Sequence, residues 1–86
     1  MSHVNNNNNE REKNLKKIEK KIILIKLMIE KRSQRVEYYQ KLIKNGLTNS
    51  DRMNLEYISV VKEQEIGTLV KELDWLYIQK SFYEVL

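Results

Sequence analysis

The chain has 86 residues and a formal net charge of +4, which is enough for one domain, and a lone chain of this length is only marginally stable. It has no Cys, no Pro and only two Gly, which excludes disulfides and thiolate metal sites and favours long helices over many strands and tight turns. No apolar run approaches the roughly 20 residues of a membrane span and the N-terminus lacks the pattern of a secretory signal, so we expect a cytoplasmic protein without a membrane span.

The first segment, residues 1–8, is predicted to be a disordered tail, because it is rich in Asn and has no periodic apolar pattern to bury. His3 lies in this tail without a Cys or a second His to complete a metal site, so we expect no role for it. Asn9 is a good helix start, since its side chain caps a backbone amide and Glu12 completes a capping box. We therefore predict the first helix over residues 9–45.

The densest apolar run, residues 22–29, lies in the middle of this helix, with Lys26 as its only polar residue. Around it, apolar residues recur at alternating steps of three and four, which is the heptad pattern of a helix that packs against a partner helix. The predicted seam consists of Leu15, Ile18, Ile22, Ile25, Ile29, Arg32, Val36, Tyr39 and Ile43. Arg32 is the polar position in this seam and is a candidate for setting the register of the pairing.

A second apolar face of the first helix lies outside the seam. One neighbouring helix covers only one face of a helix, so a further partner is needed to bury this second face. We therefore predict an oligomer interface made by Ile23, Leu24, Leu27 and Met28. A homodimer is the first choice, and a tetramer is left open.

Residues 46–50 are predicted to form the turn between two helices. Gly46 can adopt the left-handed conformation that ends a helix, and Leu47 can pack back on the last turn. Thr48 and Asp51 have the spacing of a capping pair for a new helix. Because so short a connection joins antiparallel neighbours, the predicted fold class is all-α: an antiparallel, coiled-coil-like two-helix hairpin that dimerises into a four-helix bundle.

The second helix is predicted over residues 51–86, with an irregular seam. One apolar phase comprises Met53, Tyr57, Val60 and Val61, and another comprises Leu69, Leu73, Leu76 and Tyr83. Gly67 lies between the two phases and is consistent with a kink, a close helix contact, or a break into a third helix.

Folding the chain about its turn favours the close contact, because it places Gly67 beside Ile29. The same alignment predicts the pairs Ile43 with Met53, Tyr39 with Tyr57, and Val36 with Val60. It also brings Arg32 within reach of Glu63 or Glu65, and a partly buried pair of this kind is better evidence for register than for stability.

Opposite charges on the two helices support the same pairing. Residues 10–44 carry twelve Lys or Arg and five Glu, a balance of +7, whereas residues 51–86 carry four Lys or Arg and seven Asp or Glu, a balance of −3. This difference favours docking of the first helix on the second and disfavours two first helices lying side by side.

The sequence shows no phosphate-binding loop, no Ser or Cys with a partner His, and no cluster at metal-ligand spacing, so we expect neither an enzyme nor a cofactor. A basic ridge, formed by Arg11, Lys13, Lys16, Lys17, Lys20 and Lys21, is the first candidate for a binding surface. It suits nucleic-acid phosphates or anionic lipid, and it also suits a solvated outer helix face. Nucleic-acid binding is therefore the alternative function.

The C-terminal stretch is the second candidate, because it holds four of the chain's seven aromatic residues. Exposed aromatic clusters mark interaction surfaces, although a dimer core explains them equally well. The predicted protein-binding residues are Trp75, Tyr77, Ile78, Phe82, Tyr83 and Leu86. We therefore expect a non-catalytic protein-binding or regulatory module that acts through an oligomeric helical bundle and has a protein partner.

The turn at residues 45–50 and the later Glu72-Leu73-Asp74 resemble the small helical-hairpin aspartyl-phosphate phosphatases that control bacterial sporulation. That family carries a Ser-Gln-Glu-Leu-Asp signature, whereas this chain has Val70-Lys71 in place of Ser-Gln and a longer distance from the turn. The resemblance implies a minor alternative, in which Glu72 and Asp74 contact a response regulator.

Overall fold

The protein is an antiparallel hairpin of two long helices, α1 (Ser2–Lys44) and α2 (Asn49–Val85). The computed structural model describes the backbone of residues 2–46 and 48–85 and the side chains of residues 9–46 and 48–85. The hairpin is a rod of 71 × 14 × 14 Å with a radius of gyration of 19.8 Å, compared with about 12 Å for a compact domain of this length. The predicted all-α helical hairpin is confirmed.

The turn forms as the sequence predicts. Gly46 has a φ of 84°, in the left-handed region that ends a helix. The Thr48 hydroxyl donates to the Asp51 carboxylate at 2.8 Å and accepts from the Asp51 amide at 3.4 Å. The Arg52 amide donates to the Thr48 carbonyl at 2.9 Å, so Thr48 is the N-cap of α2. The packing expected of Leu47 lies outside the described residues.

The N-terminal boundary of α1 differs from the predicted one, because the helix begins at Ser2 rather than Asn9. Extending an existing helix costs far less than nucleating one, and each Asn lowers helix stability by less than about 1 kcal/mol. The Arg11 guanidinium donates to the Glu84 carbonyl at 3.1 Å, near the end of α2, so residues 2–8 extend beyond the paired part of the hairpin. The disorder expected there stays a prediction, and the side chain of His3 lies outside the described residues.

The predicted seam of α1 faces α2 along its whole length. Ile18, Ile22, Ile25 and Val36 are buried, and Leu15, Ile29, Arg32, Tyr39 and Ile43 are half-buried. The core cluster joins Ile18, Ile22 and Ile25 to Leu76, with Leu69, Leu73 and Tyr83 packed around them. The heptad reading of α1 is therefore correct at every position.

The predicted seam of α2 is wrong in its first half. Met53, Tyr57 and Val60, the predicted partners of Ile43, Tyr39 and Val36, are 69, 72 and 51% exposed, so they lie outside the buried seam. The fourth member of the predicted phase, Val61, is half-buried. The residues at alternating steps of four and three that are buried or half-buried are Leu55, Ser59, Lys62, Ile66, Leu69, Leu73, Leu76, Lys80 and Tyr83. This seam is regular and has no stutter, but three of its positions are polar and conceal the repeat.

Gly67 neither breaks α2 nor makes a close contact. The helix is continuous through it, and a Cβ placed on it meets no atom within 4 Å, so the predicted contact with Ile29 is wrong. Because the seam passes through Ile66 and Leu69, Gly67 falls on the exposed face.

The predicted pairing of Arg32 is confirmed with Glu65 as its partner. Arg32 Nε donates to Glu65 Oε2 at 3.1 Å, and Lys62 Nζ lies 3.8 Å from the same oxygen. Among residues 9–46 and 48–85, the Arg32–Glu65 bond is the only ion pair that joins the two helices. The basic helix α1 and the acidic helix α2 are therefore joined by one ion pair. A single pair of this kind is what we expect of a register-setting contact.

Candidate protein-binding surface

Many large apolar side chains of this hairpin face solvent. Five hydrophobic residues are buried, whereas fourteen large ones are exposed within the described residues. The accessible surface is 7096 Å², compared with about 5,400 Å² for a compact protein of this mass. Two helices side by side can cover only one stripe of each other, so the remaining apolar surface is available to partners.

An open groove, which we call the Trp75 groove, lies between the N-terminal half of α1 and the C-terminal half of α2 and is surrounded by exposed apolar side chains. Two adjoining hollows of about 420 and 430 Å³ share Lys21, Trp75 and Gln79, so they form one continuous groove. Its walls are Lys17, Lys21, Leu24 and Met28 from α1 and Glu72, Trp75, Ile78, Gln79 and Phe82 from α2, and its floor includes Ile18, Ile25, Leu69, Leu76 and Tyr83. Seam residues thus make the floor, and residues flanking the seam make the walls.

The structure joins two surfaces that the sequence treats as separate. Trp75, Ile78 and Phe82 are 58, 60 and 62% exposed, and all three line the groove. Leu24 and Met28, predicted for an oligomer interface, line the same groove beside Trp75. An aromatic patch and an aliphatic patch far apart in the chain therefore make a single surface.

The other predicted binding residues take different positions. Ile23 and Leu27 are 67 and 45% exposed but are not among the residues that line the groove. Tyr83 is half-buried against the core, and Tyr77 lies under Lys26, whose Nζ is 5.5 Å from the ring centroid. Leu86 lies outside the described residues.

The basic ridge divides into three parts. Lys17 and Lys21 line the Trp75 groove, whereas Lys13, Lys16 and Lys20 are exposed outside it. Arg11 is half-buried and donates to the Glu84 carbonyl at 3.1 Å, where a cation suits the negative end of α2. Arg11 thus has a structural contact, and the lysines stay candidates for binding.

A second opening, which we call the Tyr38 cleft, lies nearer the turn and was missed by sequence reasoning. Its volume is about 670 Å³, and it is lined by Lys31, Arg32, Gln34, Arg35, Tyr38, Tyr39 and Lys62. Tyr38 is 58% exposed, whereas its neighbour Tyr39 occupies the predicted seam and is half-buried. The sequence signal that could have indicated this cleft is the set of cations at helical spacing, Lys31 and Arg35, beside Tyr38 and Tyr39 in the first helix.

These features define a class of protein, an antiparallel two-helix hairpin with two solvent-open clefts. Comparison of the chain with protein-family models, with curated proteins and with solved structures finds no match. Glu72 lines the Trp75 groove, whereas Asp74, the other acid singled out by the phosphatase resemblance, is exposed and is not among the residues that line it. Within the described residues, neither helix has a stretch both long enough and apolar enough to cross a membrane.

Proposed function

We propose that this protein is a non-catalytic interaction module that binds an amphipathic helix in the Trp75 groove, with a second copy of the chain as the first partner. The observation that carries the proposal is the exposure of Trp75, Ile78 and Phe82 around one groove. Helix-in-groove recognition uses such a surface, where aromatic anchors supply much of the binding energy.

The surface area of the hairpin supports a second copy as the occupant. A standard interface buries about 800 Å² on each partner. The exposed area of this chain exceeds that of a compact protein of its mass by about 1,700 Å², so a dimer can bury a standard interface and keep exposed surface for other contacts. Two hairpins packed groove to groove would form the four-helix bundle.

The charges in the groove support the same occupant. Lys17 lines one end of the groove with Phe82, Glu72 lines the other end with Leu24, and Lys21 lies between them and lines both hollows. A two-fold axis perpendicular to the groove brings the same patch of both copies together in opposite directions. Lys17 of one groove then faces Glu72 of the other, which favours this arrangement over a parallel one, in which like charges would meet.

Trp75→Ala tests the proposal. A Trp side chain buries up to about 250 Å², and 58% of Trp75 is exposed. A partner that covers the exposed part removes about 145 Å², worth about 3.6 kcal/mol per chain at about 25 cal/mol per Å². We expect the dimer Kd, measured by sedimentation equilibrium, to rise about 100-fold or more.

Tyr57→Ala is the matched control, because Tyr57 is an aromatic residue of α2 that is 72% exposed and lies outside both clefts. It should leave the Kd within about threefold of the parent value. An equal loss from both substitutions would contradict the groove as the interface. A chain that is monomeric at every concentration would refute self-association and leave a helix of another protein as the occupant of the groove.

A further inference from the structure

We infer that the Tyr38 cleft is an anion site that binds a phosphate chain, such as that of a nucleoside triphosphate or inorganic polyphosphate. The cleft brings together Lys31, Arg32, Arg35 and Lys62 beside two Tyr side chains. The residues that line it differ from those that line the Trp75 groove, so the inference stands independently of the proposed function.

The cleft has more cationic side chains than carboxylates to pair with them. Arg32 and Lys62 converge on one carboxylate oxygen, Glu65 Oε2, at 3.1 and 3.8 Å. Lys31 and Arg35 form no ion pair with another described residue. The four cations and Glu65 therefore carry a formal charge of +3.

The two unpaired cations are also close enough to repel each other. Lys31 and Arg35 are four residues apart in α1, so they are neighbours on the helix surface and repel each other. An anion with several charges placed between them removes that repulsion and gains two charge-assisted contacts. The Glu65 carboxylate is already shared by the two other cations, Arg32 and Lys62.

The side-chain chemistry favours phosphate over a single carboxylate. Arg35 supplies a planar fork that fits two phosphate oxygens, and Lys31 supplies a compact charge. The volume of about 670 Å³ is in the range of small-molecule sites, roughly 300–1,000 Å³. Because the cleft is open to water, binding should weaken steeply as salt is added.

Tyr38 provides a way to tell the two ligand sources apart. Tyr38 is 58% exposed, and its ring centroid lies 6.1 Å from that of Tyr39. An exposed aromatic face beside cations can stack on a nucleobase while the cations hold the phosphates. An inorganic phosphate chain has no ring to stack, so it makes no such use of Tyr38.

The test is calorimetric titration of the full chain with inorganic triphosphate and with ATP, at an ionic strength of about 0.01 M, where screening is weak. The variant Lys31→Gln/Arg35→Gln removes two charges from the cleft. The control Lys13→Gln/Lys20→Gln removes two exposed charges from α1 outside it. We expect the first pair to weaken both ligands about tenfold or more and the control to change them less than about threefold.

Tyr38→Leu completes the experiment. If it weakens ATP but not triphosphate, the site takes a nucleotide; if it weakens neither, the site takes the phosphate chain alone. Absence of binding to both ligands overturns the inference, as does an equal loss from the cleft pair and the control pair. A single-stranded oligonucleotide whose binding depends on Lys13 and Lys20 but not on Lys31 and Arg35 also overturns it and supports the ridge as the anion-binding surface.

Discussion

Ser59 provides the sharpest test of the packing between the helices. It lies in the α2 seam, is 6% exposed, and its hydroxyl oxygen is buried without a hydrogen-bond partner. An unsatisfied buried hydroxyl costs about 1–3 kcal/mol, and Ala has a helix propensity better than that of Ser by about 0.5 kcal/mol. Removing one oxygen loses a small amount of packing, so Ser59→Ala should raise the free energy of unfolding by about 1 kcal/mol or more.

For a domain of this length, 1 kcal/mol corresponds to a Tm increase of about 4–8 °C. Thermal and urea unfolding followed by circular dichroism would measure it, at one protein concentration because association also stabilises the folded state. Ser81→Ala is the matched control, since Ser81 is an exposed helical Ser and its replacement changes helix propensity without the burial term. A Ser59→Ala protein that is no more stable than the Ser81→Ala protein would refute the assignment of Ser59 to an unsatisfied seam position.

Arg32→Leu should destabilise the hairpin by about 1 kcal/mol, because it leaves the partly buried Glu65 carboxylate with only Lys62, at 3.8 Å, as its partner. An unchanged or higher stability in urea unfolding would show that the bond to Glu65 sets register without contributing stability. Arg52→Leu removes an exposed pair within one helix, with side chains about half exposed, and should change stability by less than about 0.5 kcal/mol. Gly67→Ala should stabilise the fold by about 1 kcal/mol, since the added Cβ meets no atom within 4 Å. Gly46→Ala should destabilise it, since Gly46 has a φ of 84°. Thermal unfolding that ranks the two Gly variants in the opposite order would contradict both assignments.

The sequence predicted α1 more accurately than α2, and the seams explain the difference. Eight of the nine α1 seam positions are apolar or aromatic, so the repeat is visible in the residues alone. The α2 seam includes Ser59, Lys62 and Lys80, whose polarity hides it. Residue type alone therefore assigns Met53 and Tyr57 to the seam, because they are apolar or aromatic, although both are exposed.

The candidate sites were predictable in part for a related reason. Trp75, Phe82 and Leu24 were each identified as surface candidates, because each exceeds what one seam can bury. That they share a groove depends on the antiparallel alignment of segments distant in the chain. The Tyr38 cleft also needs Lys62 from α2, which no pattern in α1 indicates.

The sequence by itself determined the two helices, the capped turn at Gly46 and Thr48, and the face of α1 that is buried. These follow from local hydrogen bonding, backbone conformation and a heptad repeat, all of which act over a few residues. Only the tertiary structure decided the face of α2. Leu76 and its neighbours dock on Ile18, Ile22 and Ile25, and because α2 is one continuous helix, that contact fixes the direction of every side chain back to Met53.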